Sequence, residues 1–278
     1  MRSRSAAPFA GAVVLLLGVV AAIAGDAPPW SDTTGTGGPT IVLLHSAGSD
    51  ASVWDLVLPA LSEKHRVVRV ELPGHGTSPM IREVSVKEVA RAVDRALDRQ
   101  KVERALLVGH SYGGWVALEE AAAHPKRAAA VAVIDMGTFT PQDTARTASL
   151  ERHLKERYPN LIRVIYEVMS VNPTESDSAV EKALRVPPDV LTAYLRDAWR
   201  TDLRPRIRGL KTPVHLIATS STWPASQPWE RVKKALGYET AGPVDGIRIS
   251  ESGHLIMRDQ PDSLAAILTK IADSLPPR

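Results

Sequence analysis

A five-residue motif, Gly109-His110-Ser111-Tyr112-Gly113, constrains the fold of this chain more than any other feature. It follows an apolar run at 105–108 and precedes an Ala-rich segment at 115–123, so the pattern predicts a strand, a tight turn and a helix. Glycine two positions before and two positions after the serine leaves room for the backbone to double back sharply. Such a turn holds the serine hydroxyl in a strained and exposed position, which makes Ser111 a candidate nucleophile.

His254 is the candidate base that Ser111 needs. A serine hydroxyl is weakly nucleophilic until a neighbouring imidazole accepts its proton, and the same imidazolium can later protonate the leaving group. His254 follows a strand-like run at 247–250 and precedes residues 262–271, which carry apolar residues at helical spacing. The other seven histidines of the chain occupy polar stretches, a strand, two early loops or the turn itself. No histidine spacing indicates a metal site, and no motif calls for a cofactor.

Acyl transfer also needs two backbone N–H donors for the oxyanion of the intermediate. The residue after the nucleophile, Tyr112, supplies one. The second donor is expected in the loop after the strand-like run at 41–44, where small residues allow the backbone to approach a substrate carbonyl. We predict Ala47 as that donor.

Two further motifs carry a family resemblance. His45-Ser46-Ala47-Gly48 with Trp54 is similar to a His-Gly pair, small loop and tryptophan, although Ser46 replaces the usual glycine. The segment 71–78, Glu-Leu-Pro-Gly-His-Gly-Thr-Ser, is similar to an acidic, Pro-Gly, Gly-x-Ser segment. With the serine turn, these motifs resemble the α/β-hydrolase superfamily, in its esterase, perhydrolase and dehalogenase-like branch. The resemblance implies an α/β-hydrolase fold, a structural role for segment 71–78, and a catalytic triad in the order serine, acid, histidine.

The triad acid is the least determined element. In many relatives it follows the next-to-last strand, which here is the run at 213–217, but the succeeding residues contain no carboxylate and Thr222 stands where the aspartate would be. Other members take the acid from the strand after the serine helix, which corresponds to 129–134 and ends in Asp135. Asp135 is therefore the predicted acid, Glu230 is the alternative, and a dyad without a carboxylate stays open.

Strand-like runs alternate with helical patterns along the chain, which predicts an α/β fold with a mainly parallel sheet and helices on both faces. Residues 39–137 and 201–278 form the two parts of this core. Between them, 138–200 lacks a strand pattern and carries two apolar helical faces, so we predict a small helical cap over Ser111. Tyr158, Tyr166, Tyr194 and Trp199 could line its pocket or simply pack there.

The N-terminal residues have the pattern of a signal peptide. Arg2 and Arg4 precede an apolar segment at 9–24 that ends in Ala22-Ile23-Ala24, so we predict a signal peptide at 1–24, cleavage after Ala24, and a secreted or periplasmic protein. An uncleaved membrane anchor is the alternative, although the segment is shorter than a full span. Residues 25–38 are rich in Gly, Pro and Thr and are predicted to be flexible.

These observations predict an exported serine hydrolase that cleaves a carboxylic ester, lactone or thioester of a small molecule through an acyl-enzyme on Ser111. A cofactor-free perhydrolase or a C–C bond hydrolase would use the same triad, and a non-catalytic binding protein on the same scaffold is a further alternative. The net charge of +3 falls to +1 without the two leader arginines, so nucleic acid is not an expected partner. The chain has no cysteine for a disulfide or a lipid anchor, and its sequence carries no signal for the oligomeric state.

Overall fold

The computed structural model of the protein describes residues 27–141 and 143–276. The predicted signal peptide at 1–24 lies outside the described residues. Within them, no helix combines the length and the apolar character that crossing a membrane requires.

The described strands form one sheet of seven. They are β1 (Ser31–Thr34), β2 (Thr40–Leu44), β3 (Val67–Val70), β4 (Ala105–His110), β5 (Ala128–Ile134), β6 (Val214–Thr219) and β7 (Val244–Ile249). Their order across the sheet is β1-β3-β2-β4-β5-β6-β7, and every neighbouring pair except β1 with β3 is parallel. The central strands β2 and β4 are buried along their whole length, as expected for parallel strands covered on both faces. The predicted α/β fold is confirmed.

Helices cover both faces of the sheet. The α-helices are α1 (Leu58–Ser62), α2 (Val86–Arg99), α3 (Tyr112–Ala123), α4 (Thr144–Glu156), α5 (Tyr158–Tyr166), α6 (Pro173–Arg185), α7 (Pro188–Ala198), α8 (Arg204–Ile207), α9 (Trp229–Ala235), α10 (Ile256–Asp259) and α11 (Pro261–Asp273). The buried residues of α2 and α3 belong to one apolar cluster, and those of α1 and α11 belong to a second cluster. The sheet therefore separates two hydrophobic layers.

Helices α4 to α7 lie between β5 and β6 with no strand among them, where the sequence predicts a helical cap. A bridge between Phe139 and Asp202 joins the two ends of this insertion. A buried hydrogen bond attaches the cap to the core. The Tyr194 hydroxyl donates to the Pro73 carbonyl oxygen at 2.8 Å. Its helices therefore sit on the loops at the carboxyl ends of the strands.

The prediction that 25–38 is flexible is wrong for Ser31–Thr34, which forms the antiparallel edge strand β1. The Arg69 guanidinium, on the neighbouring strand, donates to the Asp32 carboxylate at 3.1 Å. The Gln100 side chain donates to the Ser31 carbonyl at 3.2 Å. Backbone pairing and polar contacts therefore hold a segment that has no apolar alternation for a sequence pattern to detect.

Candidate active site

The turn between β4 and α3 places Ser111 at the carboxyl end of a central strand. Its backbone has φ 52° and ψ −118°, a conformation that residues other than glycine rarely adopt. A Cβ atom on Gly109 would lie 2.1 Å from the Gly113 carbonyl oxygen, and one on Gly113 would lie 2.4 Å from the Leu44 carbonyl oxygen. Both positions therefore require glycine, and the structure has the strand, tight turn and helix that the motif predicts.

Asp135 lies at the same edge of the sheet as Ser111. In the parallel pair β4 and β5, His110 stands opposite Ile134, so Ser111 and Asp135 each follow the last paired residue of their strand. The Ser111 N–H also donates to the Ile134 carbonyl oxygen at 3.0 Å. The adjacency of the two strands therefore brings the predicted nucleophile and the predicted acid close together.

His254 joins this group from the loop after β7. Its Nδ1 atom is 2.8 Å from the Asp135 Oδ2 atom. Its ring centroid is 4.5 Å from that of His110, the residue before Ser111, so the imidazole lies beside the serine turn. An imidazole that donates its Nδ1–H to a carboxylate presents Nε2 as a proton acceptor. The structure thus joins His254 to Asp135 and places its ring beside the turn that carries Ser111.

The environment of Asp135 favours its ionised form. The side chain is buried, and its Oδ1 atom accepts the Thr219 N–H at 2.9 Å. Burial alone would raise the pKa of the Asp135 carboxyl, but the hydrogen bond and charge of His254, with hydrogen bonds from Thr219 and Thr222, hold that pKa below its ordinary value. The carboxylate is therefore charged at neutral pH, as a partner of imidazolium must be.

The structure places the alternative acid, Glu230, on helix α9. It is exposed near the start of α9, and no hydrogen bond in the described part of the chain joins it to that histidine. Thr222, which occupies the more usual position of the acid, donates its side-chain hydrogen bond to Asp135 instead. A threonine at that position therefore supports the carboxylate that the preceding strand supplies.

The two predicted oxyanion donors lie on adjacent segments. Tyr112 begins α3, where backbone N–H groups have no acceptor within the helix. Ala47 lies in the loop after β2, and a Cβ atom on Gly113 would be only 2.5 Å from the carbonyl oxygen of His45 in that loop. The loop therefore packs directly against the first turn of α3.

Two buried histidines fix the loop that contains Ala47. His45 Nε2 accepts the Leu72 N–H at 2.9 Å, and its Nδ1 donates to the Ser46 carbonyl at 2.7 Å. His75 Nε2 accepts the Gly48 N–H at 3.0 Å. Burial lowers the pKa of His45 to about 4 and that of His75 to about 3. Both rings are therefore neutral at pH 7, which leaves each Nε2 free to accept a backbone hydrogen bond.

Segment 71–78 is held by its own acidic residue. The Glu71 carboxylate accepts the Thr77 N–H at 2.8 Å, and the Ser78 hydroxyl donates to the Glu71 carbonyl oxygen at 2.8 Å. Gly76 has φ 52°, and a Cβ atom there would lie 2.1 Å from the Glu71 carboxylate. These contacts agree with the structural role that the resemblance implies for this segment.

Two residues near the site acquire contacts that local sequence reasoning did not identify. His110 is fully buried against His254, and its only sequence signal is its position before the candidate nucleophile. Tyr166, considered above only as a pocket-lining or packing residue, donates its hydroxyl to the Ala47 carbonyl at 2.9 Å. No sequence pattern links Tyr166 to Ala47, because 119 positions separate them.

A small cavity lies beside the loop that contains Ala47. Its walls include Ser46 and Gly48 from that loop, Tyr166 and Met169 from the cap, and Leu255 next to His254. The cavity therefore lies between the core and the cap, and neither Ser111 nor His254 is among the residues that line it.

One group of side chains away from this site has the composition of a metal-binding cluster. Asp94, Glu120 and His124 bring ligand atoms within 4.8 Å of one another. However, the Arg127 guanidinium pairs with both Asp94 and Glu120, at 3.4 Å from the latter. A cation already occupies the space between these carboxylates, so the group is best explained as an ion-pair network.

Comparison with known proteins identifies the family of this chain. A model of the alpha/beta hydrolase family matches residues 41–267. The pimeloyl-[acyl-carrier protein] methyl ester esterase of Edwardsiella ictaluri is 32% identical over 195 residues, which are 65% of this chain and 74% of that protein. The dihydrolipoyllysine-residue acetyltransferase component of the acetoin cleaving system of Pseudomonas putida is 37% identical over 106 residues, 38% of this chain, but the match spans only 29% of its length.

Among solved structures, a thermophilic esterase from Thermogutta terrifontis superposes with a TM-score of 0.73 at 22% identity, covering 87% of this chain and 92% of that one. At this identity the likeness shows the fold alone. The family match covers most of the chain, from β2 into α11, and includes the turn and the two loops described above. The chain therefore belongs to the alpha/beta hydrolase family and has esterases among its relatives.

Proposed function

We propose that the protein is an exported serine hydrolase that cleaves a carboxylic ester, or a related lactone or thioester, of a small molecule. The observation that carries the proposal is the 2.8 Å hydrogen bond between His254 and Asp135 beside the strained turn of Ser111. A buried carboxylate, an imidazole and a serine turn at one sheet edge are the parts that acyl transfer requires. Esterase relatives support the same reaction class.

In the first half of the proposed reaction, Ser111 Oγ attacks the substrate carbonyl carbon while its proton moves to His254 Nε2. Asp135 keeps the His254 ring oriented and balances the positive charge that forms. The negative charge on the carbonyl oxygen is stabilised by the N–H groups of Ala47 and Tyr112. When the intermediate collapses, the C–O bond to the alcohol breaks, and His254 returns its proton to the departing oxygen.

The second half repeats these steps with water. His254 Nε2 takes a proton from water, whose oxygen attacks the acyl-enzyme carbonyl carbon. The bond to Ser111 Oγ then breaks, and the serine recovers its proton from His254. The products are a carboxylic acid and the free enzyme, so no oxidant or reductant is needed.

The cavity beside the Ala47 loop supports a small-molecule substrate. Its walls include Ser46 and Gly48, which flank Ala47, and Leu255, the residue after His254. They combine apolar side chains and serine hydroxyl groups with the charged side chains of Glu175, Lys182 and Arg258. We expect the enzyme to prefer short or polar acyl or alcohol groups over long alkyl chains.

Labelling with a fluorophosphonate probe tests the proposal. Protein that begins at Gly25 should react at Ser111 and hydrolyse p-nitrophenyl acetate, whereas Ser111→Ala should do neither. The matched control is Ser263→Ala, which removes an exposed hydroxyl at the start of α11 and should react like the wild type. Folded wild-type protein without labelling would overturn the proposal and favour a binding protein on this scaffold.

Export is proposed from the sequence pattern at 1–24 and has its own test. The full chain, expressed in a bacterial host, should be recovered outside the cytoplasm with Gly25 as its first residue, as read by intact mass. A mass that retains Met1 in the membrane fraction would instead support the uncleaved anchor. Replacing Ala24 by a bulky residue should block cleavage, because the cleavage site requires small side chains.

A further inference from the structure

One short segment of the cap, residues 166–171 between α5 and α6, contacts both sides of the candidate site. At one end, the buried Tyr166 donates its hydroxyl to the Ala47 carbonyl oxygen at 2.9 Å. At the other end, the Met169 carbonyl oxygen accepts the Leu255 N–H at 2.8 Å, next to His254. The same segment therefore touches the oxyanion loop and the histidine loop.

The contact with the histidine loop is close. A Cβ atom on Gly253 would lie 2.6 Å from the Met169 carbonyl oxygen and 2.9 Å from Ser170 Cα. Only glycine leaves room for the two backbones at that position. The residue immediately before His254 therefore packs directly on the cap.

Asp259, at the end of α10, joins the two backbones through its carboxylate. Its Oδ2 atom accepts the Gly253 N–H at 2.7 Å and the Val171 N–H at 3.3 Å. Its Oδ1 atom accepts the hydroxyl of Ser170. Among residues 27–141 and 143–276, no cationic side chain forms an ion pair with Asp259. Three hydrogen-bond donors therefore bind its carboxylate, one from the histidine loop and two from the cap.

The adjacent residue, Arg258, does not bind the histidine loop. Arg258 forms a two-pronged ion pair with Glu175 on α6, at 2.8 Å and 3.0 Å. That pair fastens α10 to the cap but leaves the loop at 252–254 untouched. Asp259 is thus the side chain that ties the backbone next to His254 to the cap segment.

We propose that Asp259 is a positioning residue. It binds both the Gly253 N–H and the 166–171 segment, and it thereby holds the His254 imidazole within hydrogen-bond reach of Ser111. This inference rests on the proposed function. Proton transfer requires the imidazole to be within hydrogen-bond reach of the serine, and a displacement of about 1 Å can cost about 100-fold in rate. Loss of the Asp259 carboxylate leaves the Gly253 N–H and the Ser170 hydroxyl without their common acceptor and releases the histidine loop from the cap.

The test compares Asp259→Asn with Asp262→Asn, an exposed aspartate three positions away. The asparagine at 259 keeps the size of the side chain but presents an NH₂ group to donors. We expect Asp259→Asn to lower kcat for p-nitrophenyl acetate and the fluorophosphonate labelling rate by about 10- to 100-fold, with KM within about twofold. Asp262→Asn should match the wild type in all three quantities.

Proton NMR separates positioning from loss of fold. The wild type should show a low-field His254 Nδ1–H resonance from the bond to Asp135, and Asp259→Asn should broaden or shift it while the methyl region of the core stays native. Tyr166→Phe, which acts on the oxyanion side, should lower kcat but leave that resonance in place. An unchanged resonance and an unchanged kcat in Asp259→Asn would overturn the inference.

Failure of the Asp259 inference can be distinguished from failure of the proposed function. If the wild type neither reacts with the probe nor hydrolyses esters, the serine-hydrolase proposal fails. The His254 Nδ1–H resonance and the hydrogen exchange of the Gly253 and Leu255 amides still report on the role of Asp259. Faster exchange of those amides in Asp259→Asn, with Asp262→Asn unchanged, would then support the positioning contact alone. Equal exchange in all three proteins would reject it.

Discussion

The Oδ2 atom of Asp135 and the Nδ1 atom of His254 are 2.8 Å apart, although 119 positions separate the two residues in the chain. Asp135 reaches this place because its strand is paired with β6. Its N–H donates to the Ile217 carbonyl at 2.8 Å, and its Oδ1 atom accepts the Thr219 N–H at 2.9 Å. One strand therefore supplies the carboxylate, and the end of the next strand orients it.

Replacing Asp135 by Asn should remove most of the activity. The amide keeps the shape of the side chain but loses the charge that stabilises imidazolium, and it can hold the His254 ring in the wrong tautomer. We expect kcat for p-nitrophenyl acetate to fall by about 10⁴-fold, with KM little changed. Steady-state kinetics on protein with a native melting curve measures this loss.

Glu230→Gln is the matched control, because it makes the same chemical change on the exposed face of α9. It should have wild-type kcat. If Glu230→Gln lost activity while Asp135→Asn kept it, the acid would have to be reassigned to Glu230.

Thr222→Val should weaken the site without destroying it. The valine keeps the size of threonine but cannot donate to Asp135, and that hydrogen bond lowers the pKa of the carboxyl. A hydrogen bond to a charged group contributes about 1.5–3 kcal/mol, so we expect kcat to fall by about tenfold or more. Thr222→Ser retains the hydroxyl and should keep most of the activity. Equal rates for the two variants would show that the hydroxyl has no role.

The sequence carries local signals for two residues of the candidate site. Ser111 has glycines at both flanks that a tight turn requires, and His254 lies between a strand pattern and a helix pattern. Asp135 lacked such a signal, because many strands in this family end in an aspartate. The choice between Asp135 and Glu230 depends on which side chain meets His254, and that depends on strand pairing across the sheet.

Features made by tertiary contact could not be predicted in the same way. The strand β1 has a polar sequence, and it forms because β3 offers an edge and Arg69 offers a partner for Asp32. The bond between Tyr166 and Ala47 depends on how the cap sits on the core. The helical character of 138–200 was readable from apolar spacing, but its attachment points were not.

Gly48→Ala should disturb the oxyanion loop. Gly48 has φ 72°, and a Cβ atom there would lie 2.2 Å from the Tyr166 hydroxyl oxygen. The substitution therefore forces Tyr166 away from Ala47 in addition to straining the backbone. We expect a lower melting temperature and a fall in kcat of about tenfold or more, because the proposed donor at Ala47 loses its fixed position.

Gly209→Ala is the control for the stability cost of placing alanine in a left-handed backbone conformation. Gly209 has a similar φ of 69°, but no atom lies within 4 Å of the position a Cβ would take. It should lose about 1–2 kcal/mol of stability from the left-handed conformation and keep wild-type kcat. If both alanine variants had the same kcat, the contact between Gly48 and Tyr166 would be irrelevant to the reaction.

The stability of the protein should fall on mild acidification because buried histidines must stay neutral. The pKa is about 4 for His45 and about 3 for His75 in the folded protein, against about 6.5 in an unfolded chain. Burial and the neighbouring charge of His254 also lower the pKa of His110. Between pH 6.5 and about 4 the unfolded state therefore binds more protons than the folded state, so the free energy of unfolding decreases as the pH falls. The limiting slope is about 1.4 kcal/mol per pH unit for each such histidine.

Urea unfolding at a series of pH values from 7.5 to 4.5 measures this slope. His75→Gln removes one titrating ring while keeping an amide near Gly48, so its stability should be lower at pH 7.5 but should fall less steeply with acid. His153→Asn, on the cap helix α4, serves as the control for removing a histidine away from these loops. A wild-type stability that stays constant from pH 7 to pH 5 would contradict neutral, buried rings at these positions.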